Sequence, residues 1–409
     1  MTHCSTFSEF TAHLRAFIRF SKRGIEAEPS HVGCYEFNRL ALELFALQFI
    51  HNASHRRLCE ARGAAPEKVG DWTEIPAIPT SAFQELELTS LSPKERTVVF
   101  HSSGTTEQRP SRHYHSAESL AIYETSLLPW FAAHVLTDPP LGRDECSEKR
   151  SPSPRPSPPG EGESASARDK FKSRFRILSL TPSPAEAPHS SLAHMFETVR
   201  CKFGSADSAF LGHVARDRAW ILDVEKALRS LRDSPHRPVA LLGTAFGFVH
   251  LLDHLAARTI HLAAGSRVLE TGGYKGRSRE LPKTELHALI TERLGIPASH
   301  IVCEYGMSEL SSQAYDRAAG GTATSQPSTL NPQHSYRFPP WARAQIISPE
   351  TGREVGEGET GLIRVCDLAN VWSVMAIQTE DLGVRRGEGF ELIGRTKTAE
   401  PRGCSLMTP

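Results

Sequence analysis

Between residues 175 and 306 the sequence repeats one pattern: a short apolar run, a Gly- or Pro-containing loop, then an amphipathic stretch. The apolar runs at 175–180, 238–244, 266–273 and 301–306 read as strands, and the last three end in Gly. The stretches 191–199, 220–231, 248–255 and 285–294 place apolar residues at helical spacing. Strands that alternate with helices in this way bury both faces best in an open, largely parallel α/β sheet. Ligands of such sheets collect beyond the C-terminal ends of the strands. Loops around 102–106, 243–244, 271–276 and 305–309 are therefore expected to face one crevice.

The flanks differ. The first 60 residues read as helical, with Phe37, Leu40, Leu44, Phe45, Leu47 and Ile50 giving a broad apolar face. Pro76 and Pro79 break regularity over 75–81, and Ser81 is placed to cap a short helix through Phe83 and Leu86. A helix is expected over 116–128, ended by Pro129. Residues 138–172 include a Pro/Ser/Gly tract without large apolar side chains, which reads as a disordered insertion. Past residue 340, short runs at 344–347, 361–365, 374–378 and 390–395 read as strands joined by turns. The expected division is 1–137, the insertion 138–172, an α/β continuation 173–340, and a β-rich end with a short tail over 341–409.

Charge excludes rather than assigns. The 47 Lys and Arg balance 47 Asp and Glu, so no global field favours nucleic acid or an anionic membrane. No apolar run is long enough for a membrane span, and the N-terminus lacks a signal-peptide layout. Eight Cys show no C-x-x-C spacing or paired framework, which points to a reducing, cytoplasmic setting.

The chemistry-bearing residues fall in four places. After the strand-like run 97–100, Ser102-Ser103-Gly104-Thr105-Thr106 packs hydroxyls onto a Gly-permitted loop with Arg109 and Arg112 behind. Hydroxyls and backbone N–H groups donate to phosphate oxygens, while Arg offsets their charge. The run is not a G-x-x-x-x-G-K-[ST] loop, and a polar turn is the other reading of it alone. Tyr305-Gly306-Met307-Ser308-Glu309 places an aromatic ring, a hydroxyl and a carboxylate within one turn, where Glu309 can hold Mg²⁺ through oxygen. Asp381, in Thr379-Glu380-Asp381-Leu382-Gly383, offers a second carboxylate before an expected Gly turn, and Arg395 follows Gly394. The literal G-x-G-x-x-G at 356–361 is rejected as a dinucleotide loop because a strand, not a helix, follows it. His250 and His254 share a helix face, but no third ligand cluster accompanies them. No G-x-S-x-G elbow supports a serine hydrolase.

In this order the four motifs resemble the adenylate-forming superfamily of acyl- and aryl-CoA synthetases. Within it the chain is most similar to the LuxE-like branch, the acyl-protein synthetases. The cues are Ile75-Pro76-Ala77-Ile78-Pro79 leading to Phe83, Phe100-His101-Ser102-Ser103-Gly104-Thr105-Thr106, and Glu270-Thr271-Gly272-Gly273-Tyr274-Lys275-Gly276-Arg277. Asp367-Leu368-Ala369-Asn370 and Arg402-Gly403-Cys404-Ser405-Leu406 add to them. Two departures stand out: Glu107 where the phosphate loop usually has Gly, and Glu380 where the Thr-Gly-Asp motif has Gly.

The resemblance implies a large adenylating α/β domain with parallel sheets and a smaller β-rich part. Fourteen residues follow Arg395, so the superfamily's usual C-terminal domain and its Lys are expected to be absent. It implies ATP and Mg²⁺ as cofactors and a carboxylic acid, preferably fatty, as substrate. Tyr305 would flank adenine with Gly272 and Gly273, while Asp381 and Arg395 would take the ribose. The 102–106 loop, Gly306 and Ser308 would hold phosphates, and Glu309 the metal. Cys404 would accept the acyl group for transfer to an acyl reductase partner, with Phe246, Phe248 and Leu251 walling the acid pocket. The alternatives from the same residues are a CoA ligase related to phenylacetate-CoA ligases, and a degenerate nucleotide-binding scaffold.

Overall fold

Two six-stranded sheets divide the molecule, and the sequence shows why they differ. The structure is a computed structural model that describes residues 6–21, 31–102, 109–136, 175–233, 236–273, 281–321 and 335–395. Ser103, Gly104, Thr105, Thr106, Glu107, the stretch 138–172 and Cys404 lie outside the described residues.

The chain starts with helices α1 (Phe7–Ser21), α2 (His31–His51) and α3 (Ala53–Glu60), the last capped by the Asn52 side chain. Strand β1 (Ile78–Pro79) and helix α4 (Ala82–Glu85) follow, then a hairpin of β2 (Val98–His101) and β3 (Arg112–His115) and helix α5 (Ala117–Val135). The α/β stretch holds β4 (Arg176–Ser179), α6 (Ser191–Phe203), β5 (Ala209–Phe210), β6 (Gly212–Val214), β7 (Trp220–Leu222) and α7 (Val224–Arg232). It continues through β8 (Val239–Thr244), α8 (Ala245–Leu255), β9 (Arg267–Thr271), α9 (Lys283–Leu294), β10 (Ile301–Tyr305) and β11 (Ala314–Tyr315). The end is β12 (Ser335–Tyr336), β13 (Ala342–Ile347), β14 (Thr360–Asp367), β15 (Ala376–Arg386) and β16 (Gly389–Arg395).

The first sheet runs β11-β10-β9-β8-β4-β5, parallel except at β11. Strands β8, β9 and β10 are buried at every residue, as a sheet covered on both faces requires. The second runs β12-β16-β15-β14-β13, antiparallel throughout, with β1 added in parallel to β15. Its alternating burial in β14 and β15 matches one covered face. The expected parallel α/β part and smaller β-rich part are both present.

Four local expectations are corrected. Pro129 sits inside α5 rather than ending it. The missing N–H costs one helical bond, but Trp130, Phe131 and Val135 beyond it are buried, and their packing outweighs that loss. Residues 220–222 form a strand with β6 instead of opening a helix, which starts only after the Asp223 cap. Ser81 is itself αR and makes no side-chain cap bond. Gly383 lies within β15, not in a turn, where a Cβ would press on Ile363, Ile346 and the Glu391 carbonyl.

One buried carboxylate ties the two sheets. Asp367, fully buried at the end of β14, accepts from the N–H groups of Ser311 (2.9 Å) and Ser312 (2.8 Å) through Oδ2. Its Oδ1 accepts from Ser312 Oγ (2.8 Å) and the Ala369 N–H (2.9 Å). Burial pushes the carboxyl above its ordinary range, and these donors pull the other way. Asn370 Nδ2 donates to the Glu309 carbonyl at 2.9 Å, so the same loop grips the turn after β10 twice. Asp367→Ala strands several buried donors and is expected to cost about 3 kcal/mol in urea unfolding. Asp367→Asn, keeping one acceptor oxygen, should cost less, and an Ala variant as stable as the parent would contradict this role.

Candidate active site

The turn that Asp367 and Asn370 hold is the centre of a cleft between the sheets. Its lining is Thr80, Ser102, Gly306–Glu309, Thr379–Asp381 and Arg395. Residues from five separate stretches of sequence therefore meet in one place: the end of β1, the end of β2, the turn after β10, the middle of β15 and the end of β16.

On the β15 side, Asp381 is 8 % exposed. Its Oδ2 accepts from the Tyr305 hydroxyl at 2.9 Å and its Oδ1 from Arg395 Nε at 3.0 Å. The ladder pairs Asp381 directly with Arg395, so register alone brings carboxylate and guanidinium together. Burial, and next the Asp381 charge, push the Tyr305 phenol well above its usual value and keep it a donor. The Tyr305 ring packs against Tyr336, Phe338 and Phe390, with centroids 5.2–6.2 Å apart. Its hydroxyl, not its ring face, is what it contributes beside the cleft.

On the β10 side, Gly306 has no room for a side chain because the Glu304 carboxyl occupies the position of a Cβ. Glu309 Oε2 accepts from Ser308 Oγ at 3.0 Å, while Oε1 is buried without a partner among the described residues. A carboxyl oxygen left so, in a cleft lined by Ser and Thr hydroxyls, fits a hard divalent cation. Behind it, Ser102 and Ser111 exchange bonds: Ser111 N–H to Ser102 Oγ at 3.0 Å and Ser102 N–H to Ser111 Oγ at 3.3 Å. This pair joins the chain on either side of residues 103–108 and fixes Ser102 in the cleft wall.

Of the sequence-derived candidates, Ser102, Gly306, Ser308, Glu309, Asp381 and Arg395 line the cleft. Gly272 and Gly273 follow β9, the latter at φ 121°, outside that lining. Ser103, Gly104, Thr105, Thr106 and Cys404 lie outside the described residues. Arg109 and Arg112 are not in the lining, and Arg112 donates to the Gln84 carbonyl (3.4 Å), so Arg395 is the cation of the described cleft. Phe248 and Leu251 are fully buried in the core around β8, not in a pocket wall. His250 and His254 do not form a metal site: the His254 ring donates to the His250 carbonyl at 2.8 Å.

Sequence reasoning missed Thr80, Ser111 and His113. The alternation Ser111, His113, His115 on one buried face was the available signal. His113 Nδ1 donates to the Ser308 carbonyl at 2.9 Å, supporting the turn from beneath. A separate buried group, Glu270, His287 and Cys303, has Lys283 beside it. Burial alone would raise the Glu270 carboxyl, but the His287 hydrogen bond and the Lys283 charge hold it below its usual value.

The sequence model of the family described as acyl-protein synthetase, LuxE, matches residues 165–408. The chain belongs to this family. Two long-chain-fatty-acid–luciferin-component ligases are similar to it. That of Aliivibrio fischeri is 23 % identical over 201 residues, covering 45 % of this chain and 49 % of its own length. That of Vibrio harveyi is 22 % identical over 182 residues, covering 42 % and 44 %. The match thus spans about half the length of these curated relatives. Among solved structures, 2-hydroxyisobutyryl-CoA ligase in complex with 2-HIB-AMP and CoA in the thioesterification state has a TM-score of 0.59 at 12 % identity. It covers 88 % of this chain and 68 % of that one. An open conformation of the same ligase has a TM-score of 0.56 and covers 89 % and 76 %. This LuxE-family chain therefore has the fold of the adenylate-forming ligases. No helix among its described residues is long and apolar enough to cross a membrane.

The site's support is pH-sensitive. Burial lowers His113 to about 4, against an unfolded value near 6.5. The unfolded chain takes up the proton first, so the neutral ring's contribution is complete above pH 6.5 and is lost as pH falls toward 4. The size is on the order of 3 kcal/mol. Urea unfolding at pH 7 and pH 4.5 should show a smaller loss in His113→Gln than in the parent, and equal losses would contradict the burial argument.

Proposed function

We propose that the chain is an ATP-dependent acyl-protein synthetase that activates a long-chain fatty acid. The observation carrying this reading is the cleft that gathers Ser102, Gly306–Glu309, Asp381 and Arg395 in a chain of the LuxE family. The names of the two bacterial relatives supply the substrate class.

In this reading, Asp381 accepts from the ribose hydroxyls, and Tyr305 and Arg395 fix its orientation from either side. Ser102 and Ser308, with Ser103, Gly104, Thr105 and Thr106, donate to the phosphates. Gly272 and Gly273 offer backbone to the adenine edge. Glu309 would hold Mg²⁺, which when bound offsets charge on phosphate oxygens. The acid's carboxylate oxygen attacks the α-phosphorus, the bridging bond to the β-phosphate breaks, and pyrophosphate leaves. Both reactants are anionic, so the protein's task is to place donors and positive charge where negative charge gathers. The Cys404 sulfur then attacks the acyl carbonyl of the adenylate, its proton passes to solvent, the bond to the AMP oxygen breaks, and AMP leaves a thioester behind. An acyl reductase is the fitting acceptor.

The test is ATP–pyrophosphate exchange with fatty acids of graded length, followed by a search for acyl label on protein. Exchange should be chain-length dependent and fall by about 10²-fold in Glu309→Gln. Label should be released by hydroxylamine and be missing in Cys404→Ser. No exchange with any acid would contradict adenylation, and acyl-CoA formation indifferent to Cys404→Ser would replace the protein acceptor by CoA.

A further inference from the structure

A second cavity, of about 350 Å³, lies along the same two strands that border the cleft. Pro79 and Gln378, paired in the β1–β15 ladder, line it, while the next residues, Thr80 and Thr379, line the cleft. Ile75, Pro76 and Ala77 give it an apolar wall. Two guanidinium groups, Arg62 and Arg364, face it as well.

Neither cation forms an ion pair within 4 Å among the described residues. Arg62 Nη1 donates to the Ala77 carbonyl at 2.6 Å, and Arg364 Nε donates to Gln378 Oε1 at 3.1 Å. Neither acceptor carries charge. Glu74 is the acidic residue of the lining, and its Oε2 already accepts from the Gly70 N–H (2.8 Å) and the Asp71 N–H (3.3 Å) as part of a capping box. The charge of Glu354 also acts on Arg364, but Glu354 is paired with Arg385 at 3.8 Å. Burial chiefly depresses the Arg364 guanidinium, and the charge of Arg62 adds to it. Folding brings cations together at such a site at a cost unless an anion joins them.

We propose that this cavity is a binding site for an amphipathic carboxylate, with the carboxylate on Arg62 and Arg364 and the hydrocarbon body against Ile75, Pro76 and Pro79. The guanidinium fork matches a carboxylate bidentately, and Arg364 keeps both terminal nitrogens for it. The apolar wall favours an organic anion over inorganic phosphate. The site is distinct from the cleft, being lined by different residues, and it does not depend on the adenylation reading. Occupancy would bear directly on β1, which Thr80 follows, and on β15, which carries Asp381.

The probe is radiolabelled octanoate, measured by equilibrium dialysis on the full chain without ATP. Binding is expected to weaken at least tenfold in Arg62→Gln and in Arg364→Gln and to persist in Glu309→Gln. Octanol and inorganic phosphate should fail to displace the label. Unchanged binding in both Arg variants overturns the proposal, as does loss of binding in Glu309→Gln, which assigns the label to the cleft. Displacement by phosphate as effective as by unlabelled octanoate also overturns it, leaving a plain anion site. Arg62 is exposed, so Arg62→Gln gives the answer even if Arg364→Gln does not fold. Failure of ATP–pyrophosphate exchange leaves this measurement unaffected, so the two readings fail separately.

Discussion

The grip of the loop after β14 on the turn after β10 is the interaction on which the site depends. Asp367 spends its carboxylate on Ser311, Ser312 and Ala369, and Asn370 reaches the Glu309 carbonyl. These bonds join the parallel sheet to the antiparallel one at the point where the cleft opens. Other buried polar groups reinforce the joint. Gln48 of α2 donates to the carbonyls of Asn370 and Val371 and accepts from the Met375 N–H. Trp341 Nε1 donates to Ser126 Oγ, which in turn meets Ser312. Each of these groups would be costly unpaired, so together they specify one arrangement of the two sheets.

That arrangement explains the division of labour within the cleft. The parallel sheet supplies the Gly306–Glu309 turn at the C-terminal end of β10, where α/β sheets present their ligand loops. The antiparallel sheet supplies Asp381 and Arg395 through ladder register. Asp381 is preorganised by a phenol and a guanidinium, whereas Glu309 keeps one buried oxygen in reserve. A carboxylate held through both oxygens is suited to orienting, and one with an unpartnered oxygen to receiving a cation.

Much of this was legible in the sequence where local pattern and tertiary role agree. The apolar runs ending in Gly became β8, β9 and β10 because fully buried strands need continuous apolar sequence. The motif residues Ser102, Ser308, Glu309, Asp381 and Arg395 met in one cleft. What was not legible was decided by distant packing. Pro129 reads as a stop, yet the core beyond it carries α5 onward. Trp220 and Leu222 have helical spacing with their neighbours but pair with β6 instead. Tyr305 reads as a stacking ring, and only the structure shows that the ring packs against Tyr336, Phe338 and Phe390 while the hydroxyl bonds to Asp381. Asp367 and Asn370 were visible as a family cue, but their partners lie about sixty residues away, and spacing alone does not reveal them.

The central claim is that the cleft between the sheets is built around an acyl-adenylate. Its most direct test is calorimetric titration with a fatty acyl-adenylate analogue in which sulfamate replaces the phosphate. The expected result is one analogue bound per chain, competed by ATP and weakened at least tenfold in Asp381→Asn. No binding, or binding that ATP does not compete and Asp381→Asn does not alter, would contradict the account.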